Sequence, residues 1–287
     1  MEELLFSGAG VESRRRLYTP TAFARDNLLY LQETGTLTAG EPHTSRRRYL
    51  DSYLFMVVVS GSGSVTYRRE SSALVAGDCF FIDCREPYSH TSSADRWTLQ
   101  WVHFDGANMP GIYEKYTERC GRPWFHAVQP QTFTRRLDAL FRQAGSGEYG
   151  RDMHLCEALT GLLADILAQS GRSGEHHRGT PPGLAAQVRA YLDAHFTERV
   201  ELETLAARFF VNKYYLTRLF RREYGCSMTA YVLQRRITRA KQLLRFTDRS
   251  VESIGAETGF REPYYFSRMF RQLEGISPSD YRRQWVN

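Results

Sequence analysis

With 287 residues, of which 42% are apolar and 24% charged, and a formal net charge of +6, the chain has the length of about two domains and enough apolar residues for packed cores. No apolar run approaches the roughly 18 residues of a membrane span, so no membrane-spanning helix is expected. Five cysteines, scattered at 79, 84, 120, 156 and 226 without a CxxC pair, exclude a disulfide framework and read as buried thiols. The opening Met1-Glu2-Glu3-Leu4-Leu5 lacks the basic region and long apolar core of a signal peptide, so a cytoplasmic protein without membrane contact is expected.

Residues 1–21 show no strong period. The run Arg14-Arg15-Arg16 reads either as a solvated stretch or as part of an N-terminal arm that docks on another domain. From Ala22 to about Phe104 the pattern is that of strands. Tyr53 to Ser60 is β-branched and aromatic, Gly61-Ser62-Gly63 is a turn, and Ser64 to Tyr67 returns from it. Leu74 to Asp78 sets a second turn before the apolar Cys79 to Asp83, Pro87 to His90 interrupts, and Trp97 to Phe104 alternates. Short strands at this spacing predict a β-barrel or jelly roll. Alternation puts Trp97, Leu99, Trp101 and His103 on one face of their strand, and Tyr53, Phe55 and Val57 on one face of theirs. Aromatic platforms with polar ends suit stacking and hydrogen bonding to a small polar ring; the alternative for each of these residues is plain barrel core.

The period becomes helical over Thr132 to Phe141 and Met153 to Ala168. Leu155, Leu159, Leu162, Leu163, Ile166 and Leu167 make a broad apolar stripe that requires a partner surface: either the barrel, which the helix would cover, or a second subunit, the reading favoured here. Residues 169–182 are rich in Gly, Ser, His and Pro and read as an interdomain linker, its His176-His177 pair solvated.

The last hundred residues contain an internal repeat. Leu216 to Arg221 aligns with Phe266 to Arg271, and the match extends through Gly225/Gly275, Ser227/Ser277 and Tyr231/Tyr281 at a constant offset of 50. In each copy a short amphipathic segment (Leu202, Leu205, Ala206, Phe209; then Val251, Ile254, Gly255) precedes a tight connection and a second helix. The inner stripe of that second helix is Leu216, Leu219 and Phe220, or Phe266, Met269 and Phe270. This is the pattern of a helix-turn-helix, whose second helix enters the DNA major groove. Between the copies Leu233, Ile237, Ala240 and Leu244 recur at a helical period, so a helix over Thr229 to Leu244 is the expected spacer. Charge agrees: residues 183–287 hold 18 Lys+Arg against 11 Asp+Glu, so the basic excess lies entirely in the repeat. Asn212, Lys213, Tyr214, Thr217 and Arg218 in the first head, and Glu262, Tyr264, Ser267 and Arg268 in the second, are the candidates for base edges. Arg221, Arg271, Arg235 and Arg239 are the candidates for phosphates.

These passages, with Arg236-Ile237-Thr238-Arg239-Ala240 and Gly259 to Phe270, resemble the DNA-binding domain of the AraC/XylS transcription regulators nearly end to end. Gly255 and Ser253 stand where that family usually has alanine and glutamate, and Glu201 where a Ser or Thr cap is usual. Residues 22–106, through Gly61-Ser62-Gly63, Ala76-Gly77-Asp78, Pro87 to His90 and Trp101 to Gly106, are similar to the cupin-like sensor domain of sugar-responsive members. By that similarity Arg46 matches a position used against sugar and Trp101 a pocket tryptophan, while Leu99 replaces a pocket histidine. Tyr53, Phe55, His90 and His103 complete the effector-site candidates. Nothing like the His-x-His pair of metal-binding cupins occurs near the barrel strands, so neither metal, cofactor nor enzymatic activity is expected.

The resemblance implies an α+β chain: an N-terminal arm (1–21), a cupin-like effector-binding β-barrel with a helical dimerisation segment (22–168), a linker (169–182) and an all-α domain with two helix-turn-helix units (183–287). It implies a ligand-responsive, sequence-specific regulator of carbohydrate uptake or catabolism genes. Its partners would be double-stranded DNA, a small-molecule effector of sugar type, a second copy of the chain and, for an activator, RNA polymerase. The alternatives are a DNA-binding regulator without effector and, more remotely, a cupin enzyme or sugar-binding module.

Overall fold

A computed structural model describes residues 4–8, 10–40, 42–47, 49–93, 96–170 and 183–284, with residues 4–8 and 47 described by backbone alone. It divides into two units, residues 1–176 and 177–287. The expected linker, apart from Gln169 and Ser170, lies outside the described residues, as does the His176-His177 pair.

In the first unit the elements run β1 (Leu4–Gly8), β2 (Val11–Leu17), α1 (Ala22–Asn27), β3 (Tyr30–Ala39), β4 (Thr44–Arg47), β5 (Tyr53–Ser60), β6 (Ser62–Tyr67), β7 (Glu70–Val75), β8 (Asp78–Asp83), β9 (Tyr88–Ser92), β10 (Thr98–Asp105), α2 (Met109–Cys120), β11 (Trp124–His126), α3 (Pro130–Ala144) and α4 (Arg151–Ser170). All strand pairs are antiparallel. They form a seven-stranded sheet in the order β1-β2-β3-β10-β5-β8-β11 and a four-stranded sheet in the order β4-β9-β6-β7.

β5 reads as an unbroken apolar run because both of its faces are covered. Tyr53, Phe55 and Val57 pack with Phe81, Phe104, Phe133 and Leu159 in a core closed by α2, α3 and α4. Leu54, Met56 and Val58 face the other way and pack with Val65, Tyr67, Leu74 and Tyr88 of the smaller sheet. Gly61 and Gly63 make this sandwich possible. β5 and β6 do not pair as the expected hairpin; β6 pairs with β7 and β9 instead. Gly61 (φ +75°) swings the chain from one sheet to the other, passing so close to Arg96 that a Cβ would lie 2.4 Å from its carbonyl oxygen. At Gly63 a Cβ would lie 2.4 Å from the buried Trp97 ring, so a side chain is barred there as well.

Two further expectations are corrected. The N-terminal stretch is not a separate arm. β2 pairs with β3 from Val11↔Ala39 to Leu17↔Glu33, because Val11, Ser13 and Arg15 alternate inward against Glu12 and Arg14. The leucine stripe of α4 is consumed within the unit: Leu155, Leu159, Leu162, Leu163 and Ile166 are buried against the sheet and its covering helices, so the stripe itself calls for no second subunit.

The second unit consists of α5 (Leu184–His195), α6 (Leu202–Arg208), α7 (Lys213–Tyr224), α8 (Met228–Phe246), α9 (Val251–Glu257), α10 (Pro263–Glu274) and α11 (Pro278–Arg283). Its two cores follow the repeat. Leu205, Leu216, Leu219 and Phe220 gather with α5 and the start of α8; Ile254, Phe266 and Phe270 gather with Ile237, Ala240 and Leu244 further along α8. The 19 residues of α8 span about 28 Å. Gly255 is explained by packing, since a Cβ there would come within 3.0 Å of the Phe266 ring where α9 crosses α10. Ser227, Ser250 and Ser277 cap α8, α9 and α11 with their side chains, whereas Glu201 makes no side-chain cap on α6.

Candidate ligand pocket and nucleic-acid interface

Between the two sheets of the first unit lies a cavity of about 600 Å3. Apolar walls come from Val11, Leu37, Leu54, Met56 and Leu99. Polar groups reach in from Arg15, Glu33, His43, Ser45, Ser52, His90 and His103, with Tyr88 and Trp101 as aromatic surfaces. The volume and the mix suit a small ligand held by several hydrogen bonds over a flat ring.

Local chemistry places these groups. Gly35 lies across from Trp101, and a Cβ there would stand 2.9 Å from the indole and 2.5 Å from the Arg14 carbonyl, so glycine lets the ring lie against β3. The Arg15 guanidinium sits 5.7 Å from the centre of that ring and 3.4 Å from Glu33, presenting a cation whose charge is locally balanced. His103 shares a 2.9 Å hydrogen bond with Ser52, which orients the imidazole at one end. His90 rests 5.8 Å from Trp97. At the rim Asp51 pairs with Arg85 at 2.5 Å, and Arg85 also binds Asp83 at 3.1 Å and Asp105 at 2.8 Å, a knot that fixes the loop before β5.

Of the six effector-site candidates, His90, Trp101 and His103 come together in the cavity. Tyr53 and Phe55 do not. They lie on the opposite face of β5, where Phe55 packs 5.0 Å from Phe133 and burial pushes the Tyr53 phenol up to about 12. Strand alternation is strict, and β5 turns Leu54 and Met56 to the ligand side instead. Arg46 is exposed on β4, while its neighbour Ser45 faces the cavity. Among the described residues, the arginine that lines the cavity is Arg15, from the run read as solvated or arm. Its signal was present in the alternation Val11-x-Ser13-x-Arg15-x-Leu17, which marks a half-buried strand.

In the second unit α7 and α10 are the equivalent second helices. Asn212 caps α7 by accepting from the Tyr214 N–H at 2.8 Å, so its side chain is occupied at the helix start. Lys213 is paired with Glu203 at 2.7 Å, and the two hold each other's charge: Glu203 is lowered and Lys213 raised. Thr217 donates back to the Lys213 carbonyl. Tyr214, Arg218 and Arg221 are exposed, as are Glu262, Tyr264, Arg268 and Arg271 around α10, with Ser267 half-buried. The Arg268 guanidinium lies 5.4 Å over Tyr265. Two of the expected phosphate contacts are engaged elsewhere: Arg235 pairs with Asp193 at 2.9 Å and Arg239 approaches Glu257 at 3.8 Å. Arg236, not anticipated, is the structural hub of the unit. It donates to the carbonyls of Phe196 (2.6 Å), Glu198 (2.7 Å) and Gly259 (2.8 Å).

A cavity-bearing β unit followed by a basic unit with two exposed second helices defines a ligand-binding, DNA-binding regulator. The comparisons agree. Residues 35–170 match the AraC-like ligand binding domain and residues 205–284 a helix-turn-helix domain. The Msm operon regulatory protein of Streptococcus mutans is 23% identical over 242 residues, 83% of this chain and 86% of that one. The arabinose operon regulatory protein of Salmonella typhimurium is 25% identical over 250 residues, 81% and 84% of the two chains. The lactose operon transcription activator of Staphylococcus xylosus is 23% identical over 235 residues, 80% and 83%. The chain belongs to the AraC/XylS family of transcription regulators, a family of DNA-binding proteins and not of enzymes.

Proposed function

We propose that this regulator is gated by a carbohydrate and activates genes for its uptake or breakdown. The observation that carries the reading is the 600 Å3 cavity. Trp101 offers a stacking platform, and Arg15, Glu33, His90 and His103 surround it with donors and acceptors of both signs, as a neutral polyhydroxylated ring requires. Relatives named for arabinose and lactose operons add support. A ligand there contacts β2 as well as β10. It therefore favours the arrangement in which the N-terminal strands are closed over the cavity, and only such differential affinity can shift the chain between states.

In this reading Tyr214, Arg218, Tyr264, Ser267 and Arg268, with Asn212, Lys213, Thr217 and Glu262 around the helix starts, face base edges. Arg221 and Arg271 hold phosphates. The protein works in the cytoplasm, as a homodimer that engages RNA polymerase; the dimer is proposed on family resemblance and not on the α4 stripe.

The test is binding of the full-length protein to the DNA upstream of its own gene, titrated with pentoses, hexoses and glycosides. A shift in affinity or footprint with one sugar is the expected result. Tight binding indifferent to every sugar would leave a regulator without a carbohydrate effector and would sink the gating proposal.

A further inference from the structure

The two helix-turn-helix turns share one hydrogen-bond pattern and differ in the residue that takes the left-handed step. Phe209 and Thr258 follow the ends of α6 and α9 and return their N–H groups to Leu205 and Ile254. Next come Phe210 and Gly259, whose N–H groups return to Ala207 and Ala256, both at 3.1 Å. Val211 and Phe260 close the turn onto Ala206 and Gly255, at 3.0 and 2.9 Å. Phe210 and Gly259 thus occupy the same step, and both adopt a positive φ, +53° and +89°. The second copy fills this step with glycine, the residue that takes the left-handed region without a Cβ penalty. The first copy fills it with a phenylalanine that is 96% exposed.

A bulky residue in left-handed backbone costs stability, and an aromatic ring in water recovers none of it through packing. Its neighbour Val211 is partly buried in the first core, so the turn could be held without Phe210. Two residues after Phe210 stands the cap of α7, and exposed Tyr214 (69%) and Arg218 follow on that helix. The N-terminal residues of such a helix are those that meet base edges.

We infer that Phe210 is a DNA-contacting residue of the first head. Its ring packs against the apolar surface of the duplex, thymine methyl or deoxyribose, beside the N-terminus of α7. The second head, with Gly259 at this step and its φ satisfied, makes no such contact, so the two heads read DNA unequally. The charge around the site fits a polyanion: Arg208, Lys213, Arg218 and Arg221 lie on the same two helices. The inference rests on DNA binding by this domain, which the family match establishes, and not on the carbohydrate reading.

The test uses the full chain with Phe210→Asn and Phe210→Gly, two residues that accept the left-handed region. The DNA is a duplex enriched by the wild-type protein from a random-sequence library. Both variants are expected to melt at or above the wild-type Tm, since strain is relieved, while affinity for the duplex falls by about fivefold or more with an unchanged salt slope, as loss of an uncharged contact requires. Replacing thymine by uracil in the first half-site separates the two apolar surfaces. A methyl contact makes this substitution costly to the wild type and neutral to the variants, whereas a deoxyribose contact leaves it equal for all three. Affinity within twofold of wild type overturns the inference. So does an affinity loss that tracks a lowered Tm, which would make Phe210 a structural residue. Unchanged DNA affinity with lost transcription in a purified system also overturns it, in favour of a contact to polymerase.

Discussion

Arg236 Nη1 donates to the backbone carbonyl of Gly259 across 2.8 Å, joining the middle of α8 to the turn of the second head. The same guanidinium holds Phe196 and Glu198 in the loop that precedes the first head, and burial lowers its basicity. Gly259 in turn sits so close to this loop that a Cβ would lie 2.4 Å from the Thr197 carbonyl. One side chain and one missing side chain therefore set the angle between the two heads.

Arg236→Ala removes three charge-assisted donors and leaves three carbonyls to find water. A destabilisation of about 2–4 kcal/mol is expected, read by urea denaturation of the full chain. Affinity for a duplex with both half-sites should fall more than affinity for a single half-site, because the heads lose their fixed spacing. Equal losses on the two duplexes would show that Arg236 acts on stability alone.

Gly259→Ala should be severe for a different reason. It combines left-handed strain with a backbone clash that cannot relax by a rotamer change, so a loss of about 2 kcal/mol or more is expected in the same assay. Gly275→Ala, also at positive φ but with nothing within 4 Å, isolates the strain component and should cost about 1 kcal/mol.

Arg218 and Arg221 separate base from phosphate reading. Arg218→Ala is expected to relax preference at one base position by about 1–3 kcal/mol while other positions keep theirs. Arg221→Ala should weaken all sequences alike and reduce the salt slope by about 0.9. Selection from a randomised duplex pool and affinities at several salt concentrations would distinguish the two; identical behaviour would refute the assignment.

In the pocket, Trp101→Ala and Arg15→Ala should weaken any effector response by about tenfold or more, with DNA binding in the absence of effector retained. Phe55→Ala, on the other face of β5, should instead destabilise by about 3–5 kcal/mol and spare ligand specificity. Calorimetric titration of folded variants checks the first pair, and thermal melting the third.

Asp152 ties the start of α4 to the segment between β2 and α1, accepting from Thr21 at 2.6 Å and from the Tyr18 hydroxyl. Burial raises its pKa, but these hydrogen bonds and Arg151 outweigh that and leave it below the ordinary carboxylate value. A lowered folded-state pKa contributes stability that is present above the unfolded value, about 4, and is lost as pH falls through the folded value. Asp152→Asn should therefore cost about 1 kcal/mol at pH 7 and progressively less below about pH 4. A difference that stays constant to pH 3 would argue against a role for its charge.

The repeat, the spacer helix and the strands from Tyr53 to Phe104 were legible because each rests on local period and on turn chemistry that neighbouring residues specify. The expected Thr229–Leu244 helix lies within α8, and Tyr53–Ser60 coincides with β5. Helix α2 leaves no such signal: its run is polar and carries no clear stripe, and only Met109 and Tyr116 on it are buried. Arg15 is not legible locally, because a cationic run hides a two-residue alternation until its flanking Val11 and Leu17 are placed on a sheet.

By itself, then, the sequence determined the family, the duplicated reading unit and which residues line one face of a given strand or helix, since these depend on periodicity and on residues near in the chain. Only the tertiary structure decided which face is the inside. Tyr53 and Phe55 alternate with Leu54 and Met56 in either case, and nothing local says which pair will look into the cavity and which will meet α3. The same holds for the leucines of α4, which could pair with a partner or cover their own sheet, and for Gly61, whose turn sends β6 to a second sheet instead of back along β5. These choices are made by contacts between residues far apart in sequence, where burying apolar area on both sides of a sheet outweighs what any single segment prefers.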